Sequence, residues 1–293
     1  MVIQNQLHHI MKKILVPIDF SENSKNALRV AAGIALKSGA ALEMLHVNLA
    51  AIYSAPLSEY VAAPTIILED EKYAAEAAEE LEKLKTAQFS SGEFKNVKVA
   101  ARISDGFLHS TVKSVCEDDD IDLVVMGTTG SSGLGEFLLG SNTEKVIRTS
   151  PCPILAVPEK TKEFNPKVIL LPSTLKPEQK GVFSYLAYWD NLYDFIVKVL
   201  YLNNPAWKPT DGSAEAEKNR LAEAAGLKKT DTIITHPAIY EDNSVLATAD
   251  QCNADLIVMG THQRKGLSHF LFGSITEDTV NHSDIPVLAV PLS

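Results

Sequence analysis

Three glycines and a serine form the set best suited to chemistry: Gly127, Gly130, Gly140 and Ser141, spaced Gly-x2-Gly-x9-Gly-Ser. They follow an apolar run and open a helical one. Glycine lets the backbone turn tightly and come close to a ligand. Free N–H groups at a helix start favour a negative group, by about 0.3–1 kcal/mol per surface charge. The Ser141 hydroxyl adds a donor. This is phosphate-binding chemistry, although a plain strand-to-helix loop also uses glycine. Asp19 is the second candidate, directly after the first apolar run (Val16-Pro-Ile-Asp-Phe-Ser21). In open parallel sheets, ligands sit beyond the carboxyl ends of strands, where the strand order reverses. A carboxylate there can accept hydrogen bonds from ribose hydroxyls or an adenine amine. The competing role for Asp19 is to cap the next helix.

The common nucleotide and hydrolase motifs are absent. The P-loop spacing Gly135–Gly140 is followed by Ser141 where Lys is required, which argues against fast phosphoryl transfer. There is no G-x-G-x-x-G, no G-x-S-x-G and no H-E-x-x-H.

The elements that must hold these residues follow from hydrophobic period and punctuation. Lys13–Ile18 reads as a buried strand and Ser24–Ser38 as a helix, with Ser21 as its N-cap and Gly39 as its stop. Ala41–Val47, Val97–Ile103, Asp122–Met126 and Ile154–Val157 read as further strands. Glu71–Gln88, Gly106–Glu117 and Ser141–Thr149 read as helices. Alternation of this kind implies a mostly parallel sheet covered by helices on both faces. The pattern then recurs. Asp122–Pro158 and Asp255–Pro291 align without a gap at an offset of 133, with 20 of 37 positions identical. Ile14–Pro17 and Ile169–Pro172 echo each other at an offset of 155. A period this long means a duplicated domain. The second copy reads as Val168–Leu171, a helix over Gly181–Val197, Val199–Leu202, a helix over Ala214–Ala225, Thr232–Thr235, Val245–Cys252, Leu256–Met259, Ser274–His282 and Val287–Val290. The boundary falls in Glu159–Pro166, giving domains over 11–158 and 166–293.

Composition narrows the function. The 293 residues carry a net charge of −10, and neither half is basic, which argues against nucleic acid. No apolar run reaches the roughly 18 residues of a membrane span. The start lacks a basic region followed by an apolar core, so a signal peptide is not expected. Three scattered cysteines (Cys116, Cys152, Cys252) then read as reduced thiols in a cytoplasmic protein.

Together these residues resemble the universal stress protein family. The likeness covers residues 11–158 nearly throughout: the Lys12–Ser21 start, Leu45–Val47, Val125–Thr128, the glycine–serine spacing and Pro151–Pro158. Two copies resemble its tandem type. The resemblance implies two doubly wound α/β domains, each a five-stranded, mainly parallel sheet of order 3-2-1-4-5. It also implies that they pack as a pseudo-dimer through their last strands. It further implies a site for ATP or a related adenine nucleotide, alone or with Mg²⁺, in the first domain. There Asp19 would meet the ribose or adenine region and Val47 the adenine through its backbone. Gly127, Gly130, Gly140 and Ser141 would hold ribose and phosphates. Pro17, Met126 and Asn142 match further positions that line the pocket. The second copy departs from the pattern. Gln263 stands in place of Gly130 and Thr174 in place of Asp19, while Tyr201 and Leu202 replace His46 and Val47. Gly260, Gly273 and Ser274 remain. That copy reads as degenerate, with a structural or regulatory role.

Other features read as structural. None of the eight histidines has metal spacing, His46 is expected to support the pocket, and Cys116 and Cys252 face apolar helix sides. The acidic run Glu117–Asp120 with Asp122 reads as a solvated helix end. The 53–70 stretch, without a counterpart in the second copy, is either a lid or a partner-binding loop. The aromatic stretch Phe183–Tyr201 reads as core and interface packing, with an apolar ligand groove as the alternative. The expectation is a cytoplasmic stress-response protein that binds ATP, with no catalytic residue assigned and with its protein partner and any homodimer left open. Two alternatives stand: a nucleotide-independent scaffold and a slow ATP hydrolase.

Overall fold

The computed structural model describes residues 11–48, 63–128, 141–202, 214–234, 244–261 and 276–292, apart from 277 and 278. The first half runs β1 (Lys13–Pro17), α1 (Glu22–Ser38), β2 (Ala41–Asn48), α2 (Ala63–Phe89), β3 (Val99–Asp105), α3 (Leu108–Asp118), β4 (Leu123–Thr128), α4 (Ser141–Thr149) and β5 (Ile154–Pro158). The second runs β6 (Val168–Ser173), a 3₁₀ turn (Pro177–Gln179), α5 (Lys180–Tyr193), β7 (Ile196–Tyr201), α6 (Ala214–Ala225), β8 (Thr230–Ile234), α7 (Ser244–Gln251), β9 (Leu256–Thr261) and β10 (Val287–Pro291).

These strands form one ten-stranded sheet, ordered β3-β2-β1-β4-β5-β10-β9-β6-β7-β8. Each half therefore carries the expected 3-2-1-4-5 order. The halves meet at their last strands, where β5 and β10 pair antiparallel with Leu155 opposite Leu288. All other pairings are parallel.

Continuous apolar strands serve two cores because successive side chains point to opposite faces. Ile14, Val16, Leu123, Val125, Leu256 and Val258 face α1, α2, α5 and α6. Leu15, Val124, Met126, Ile257 and Met259 face α3, α4 and α7. Both halves anchor the start of their first strand in the same way. The Asp122 carboxylate accepts from the Lys12 and Lys13 N–H groups at 2.6 and 3.0 Å, and Asp255 accepts from Lys167 and Val168 at 2.8 and 2.9 Å. Asp119, in the same acidic run as Asp122, pairs with Arg102 at 2.8 Å, and Arg102 reaches the buried Glu43 at 2.7 Å. These acids are thus tied to structure.

The aromatic stretch is packing. Phe183, Trp189, Tyr193 and Phe195 are all buried. Tyr193 stacks on Trp189 at 5.7 Å, and Phe164 of the connector meets both rings edge-on at 5.8 and 5.6 Å. From the first half, Lys37 on α1 lies 4.2 Å over the Tyr193 ring, and the Met11 N–H donates to Tyr188 Oη at 3.2 Å. The helix is shorter than Gly181–Val197. It stops at Tyr193 because Asp194 takes a left-handed conformation (φ 45°), and the next apolar residues start β7. The 27-residue α2 starts well before Glu71. Among the described residues, no helix is long and apolar enough to cross a membrane.

Candidate functional site

Parallel topology brings the carboxyl ends of β1, β2 and β4 together, and β1 lies between the other two. A crevice of about 440 Å³ opens at this reversal point. Its floor comes from Pro17 to Asp19 and from Met126 to Thr128. His46 and Val47 close one side, with Gly106 to His109 of the β3–α3 turn beyond them. Thr143 and Lys145 of α4 close the other side.

Asp19 is exposed at the mouth, and it does not cap α1 directly. The cap is Ser21, whose hydroxyl accepts from the Ser24 N–H at 3.2 Å. Asp19 holds that cap: its Oδ1 accepts from the Ser21 hydroxyl at 2.5 Å and from the Ser21 N–H at 3.0 Å. Phe20 between them is forced into a left-handed conformation, with φ at 64°. Its ring rests 4.8 Å from that of His46, and His46 Nδ1 bonds the Ile18 carbonyl oxygen at 2.8 Å. His46 is thus a support for the crevice wall, as expected.

Partial burial pushes the Asp19 carboxyl up, but hydrogen bonds from the Ser21 and Ser24 hydroxyls and the Ser21 N–H outweigh it. The acid is held below its usual range, so the ionised form stabilises the fold. That contribution is full above the unfolded pKa of about 3.9 and is lost as pH falls through the lower folded value. Asp19→Asn is therefore expected to flatten the acid limb of a stability–pH curve below about pH 4, read by urea unfolding at each pH. An unchanged limb would mean that the Ser21 contacts are not formed in solution.

Gly127 has a role that its spacing does not reveal. A Cβ there would stand 2.4 Å from the Asn23 carbonyl oxygen and 2.5 Å from its carbon. The missing side chain lets the first turn of α1 lie directly on β4.

Five of the nine expected residues line this crevice: Pro17, Asp19, Val47, Met126 and Gly127. Ser141 and Asn142 open α4, the helix that supplies Thr143 and Lys145. Gly130 and Gly140 lie outside the described residues, as do Gln263, Gly273 and Ser274. Sequence reasoning missed Lys145, though a signal existed. It lies four residues after Ser141, on the same helix face. It also missed Phe107 and His109, which only the parallel topology brings to this end of the sheet.

The matching place in the second half carries buried side chains among the described residues. Thr174, in the position of Asp19, is 2% exposed, and its neighbours Ser173 and Leu175 are also buried. Leu175 repeats the left-handed backbone of Phe20, with φ at 58°. The buried Gln179 side chain comes so close to Gly260 that a Cβ there would lie 3.0 Å from its Oε1. The two copies thus differ at the aligned position, where Asp19 is exposed and Thr174 is buried.

Comparison with known proteins places this architecture. The Universal stress protein family matches residues 11–158 and 199–291. A universal stress protein of Methanocaldococcus jannaschii is 34% identical over 158 residues, covering 53% of this chain and 86% of its own. One from Synechocystis is 23% identical over 292 residues, covering 95% and 99% of the two chains. The crystal structure of a universal stress protein from Archaeoglobus fulgidus shares the fold over 96% of this chain and 98% of its own, with a TM-score of 0.70 at 19% identity. Two family matches on one continuous sheet, with a full-length relative, establish that this chain belongs to the universal stress protein family.

Proposed function

We propose that the first-half crevice binds one adenine nucleotide, ATP, and that the second half has a structural or regulatory role. The observation that carries the reading is the chemical gradient along the crevice. One end is walled by Val47, Phe107 and Leu108, and suits a flat base. Asp19 stands at the mouth as an acceptor for hydroxyl or amine donors. The other end offers the start of α4 and the Lys145 ammonium, both attractive to phosphate. The volume of about 440 Å³ falls in the range of small-molecule sites, roughly 300–1,000 Å³. Mg²⁺ would arrive with the phosphates. These residues bind and orient, and a ligand that favours one conformation shifts the population towards it without chemistry. The setting for this binding is the cytoplasm, as part of a stress response.

The test is calorimetric titration of the full chain with ATP, AMP and adenosine. One ATP per chain is expected. Asp19→Ala should weaken all three ligands by roughly 10- to 100-fold, the scale of a hydrogen bond to a charged group. Lys145→Ala should weaken ATP most and adenosine least. Two sites per chain would mean that the second half also binds nucleotide. No binding of any of the three would favour the nucleotide-independent scaffold.

A further inference from the structure

A pair of buried thiols lies at the opposite end of the first-half strands from the crevice. Cys116 sits in the last turn of α3, and Cys152 lies two residues before β5. They are 36 residues apart in sequence and share one core cluster, each 6% exposed. Ser150 draws them together. Its hydroxyl donates to the Cys152 carbonyl at 3.1 Å and accepts from the Cys152 N–H at 3.2 Å, while the Cys116 sulfur lies 3.9 Å away. The Cys152 thiol donates to the Ile121 carbonyl, between α3 and β4, at 3.0 Å. Both cysteines thus meet at the Ser150 hydroxyl, and both are free thiols.

We infer that Cys116 and Cys152 form a redox site, at which a hydroperoxide joins the two sulfurs into an intramolecular disulfide. Cys116 is the attacking partner. Its contact with the Cys152 thiol holds it below the usual thiol range, against burial that pushes it up. Burial and the same contact push Cys152 up. The Cys116 thiolate attacks one peroxide oxygen: an S–O bond forms, the O–O bond breaks, and hydroxide leaves as water after protonation. The Cys152 sulfur, losing its proton, then attacks the sulfenic sulfur. An S–S bond forms, the S–O bond breaks, and a second water leaves. Two thiols and one hydrogen peroxide give one disulfide and two waters. The peroxide is reduced, and no other reductant is needed. The new bond fastens the end of α3 to the approach to β5. The amino ends of α3 and α4 lie at the crevice, so this fastening sits at the far end of the helices that wall it.

The inference is independent of nucleotide binding, and so is its test. Full-length protein carrying Cys252→Ser, which removes the half-exposed third thiol, is treated with a slight excess of hydrogen peroxide. It is then denatured, alkylated and digested. The expected result is loss of both alkylatable thiols and a Cys116–Cys152 linked peptide that dithiothreitol splits. Adding Cys116→Ser or Cys152→Ser should abolish the linked peptide. If either fails to fold, the map of the Cys252→Ser protein decides alone. Two thiols that remain fully alkylatable would overturn the inference, as would sulfinic or sulfonic acid on either cysteine without linkage. The thermal midpoint of the oxidised form should equal or exceed that of the reduced form, because the cross-link joins two segments that already share one core cluster. A fall of more than about 5 °C, roughly the shift from a 1–2 kcal/mol loss in a domain of this size, would also overturn it.

Discussion

Gly127→Ala is expected to destabilise the protein by about 3 kcal/mol, the upper range for forcing atoms into a packed interior. The added methyl meets backbone, the Asn23 carbonyl group, at 2.4–2.5 Å. Backbone in the first turn of α1 cannot yield without disturbing the Ser21 cap and the Asp19 contacts that depend on it. The same substitution at Gly260 is the control. There the atoms met are the ends of flexible side chains, Leu292 Cδ2 at 2.9 Å and Gln179 Oε1 at 3.0 Å, which can rotate away. Gly260→Ala should cost less than about 1 kcal/mol. Urea unfolding of the two variants compares them directly. Equal midpoints would show that α1 does not pack on β4 as closely as described. Because the glycines share an aligned position, the contrast also measures how far the two crevices have diverged.

Trp189→Ala is expected to cost about 3–5 kcal/mol, the usual penalty for emptying a large aromatic site. Trp189 is fully buried and sits between Tyr185, Tyr193 and Phe164. The damage should reach beyond α5, because Tyr193 carries Lys37 of the first half and Phe164 belongs to the connector. Calorimetry should show the unfolding midpoint falling by about 10 °C, at roughly 2–4 °C per kcal/mol. The surface control is Leu36→Ala on α1, where the side chain is 45% exposed and the expected change is within about 0.5 kcal/mol. A Trp189 variant no less stable than that control would refute the packing account.

Much of the fold was legible because its signals are local. Buried parallel strands are short, wholly apolar runs, and both copies show them at matching spacing. Ser21 and Gly39 marked the ends of α1 by chemistry that acts within one turn. The strand order came from family resemblance, since no periodicity states which strands are neighbours. The errors also have local causes. Asp194 ends α5 in a conformation usually left to glycine, so the sequence carries no stop signal there. By sequence, Asp19 reads equally as a helix cap or a ligand contact. It supports the actual cap while its carboxylate stays at the crevice mouth. Gly127 drew attention for a ligand, yet the atoms nearest its missing Cβ belong to α1. Lys145 was overlooked because a lone lysine on a charged helix looks like surface. Phe107 and His109 enter the crevice from a turn about 60 residues from Val47 in chain order and carried no motif.

The antiparallel β5–β10 seam has a consequence for mass action. Two separate chains joined along such a seam would part on dilution. Here a connector of eight residues, Glu159–Pro166, keeps the strands within reach of each other. A short tether of this kind holds its partners at an effective concentration on the order of millimolar, whatever the total protein level. Seam formation is then independent of expression. The tether favours pairing with the other copy of the same chain, so every molecule carries the two unlike halves in one-to-one ratio. That ratio is the same from the lowest protein concentration to the highest.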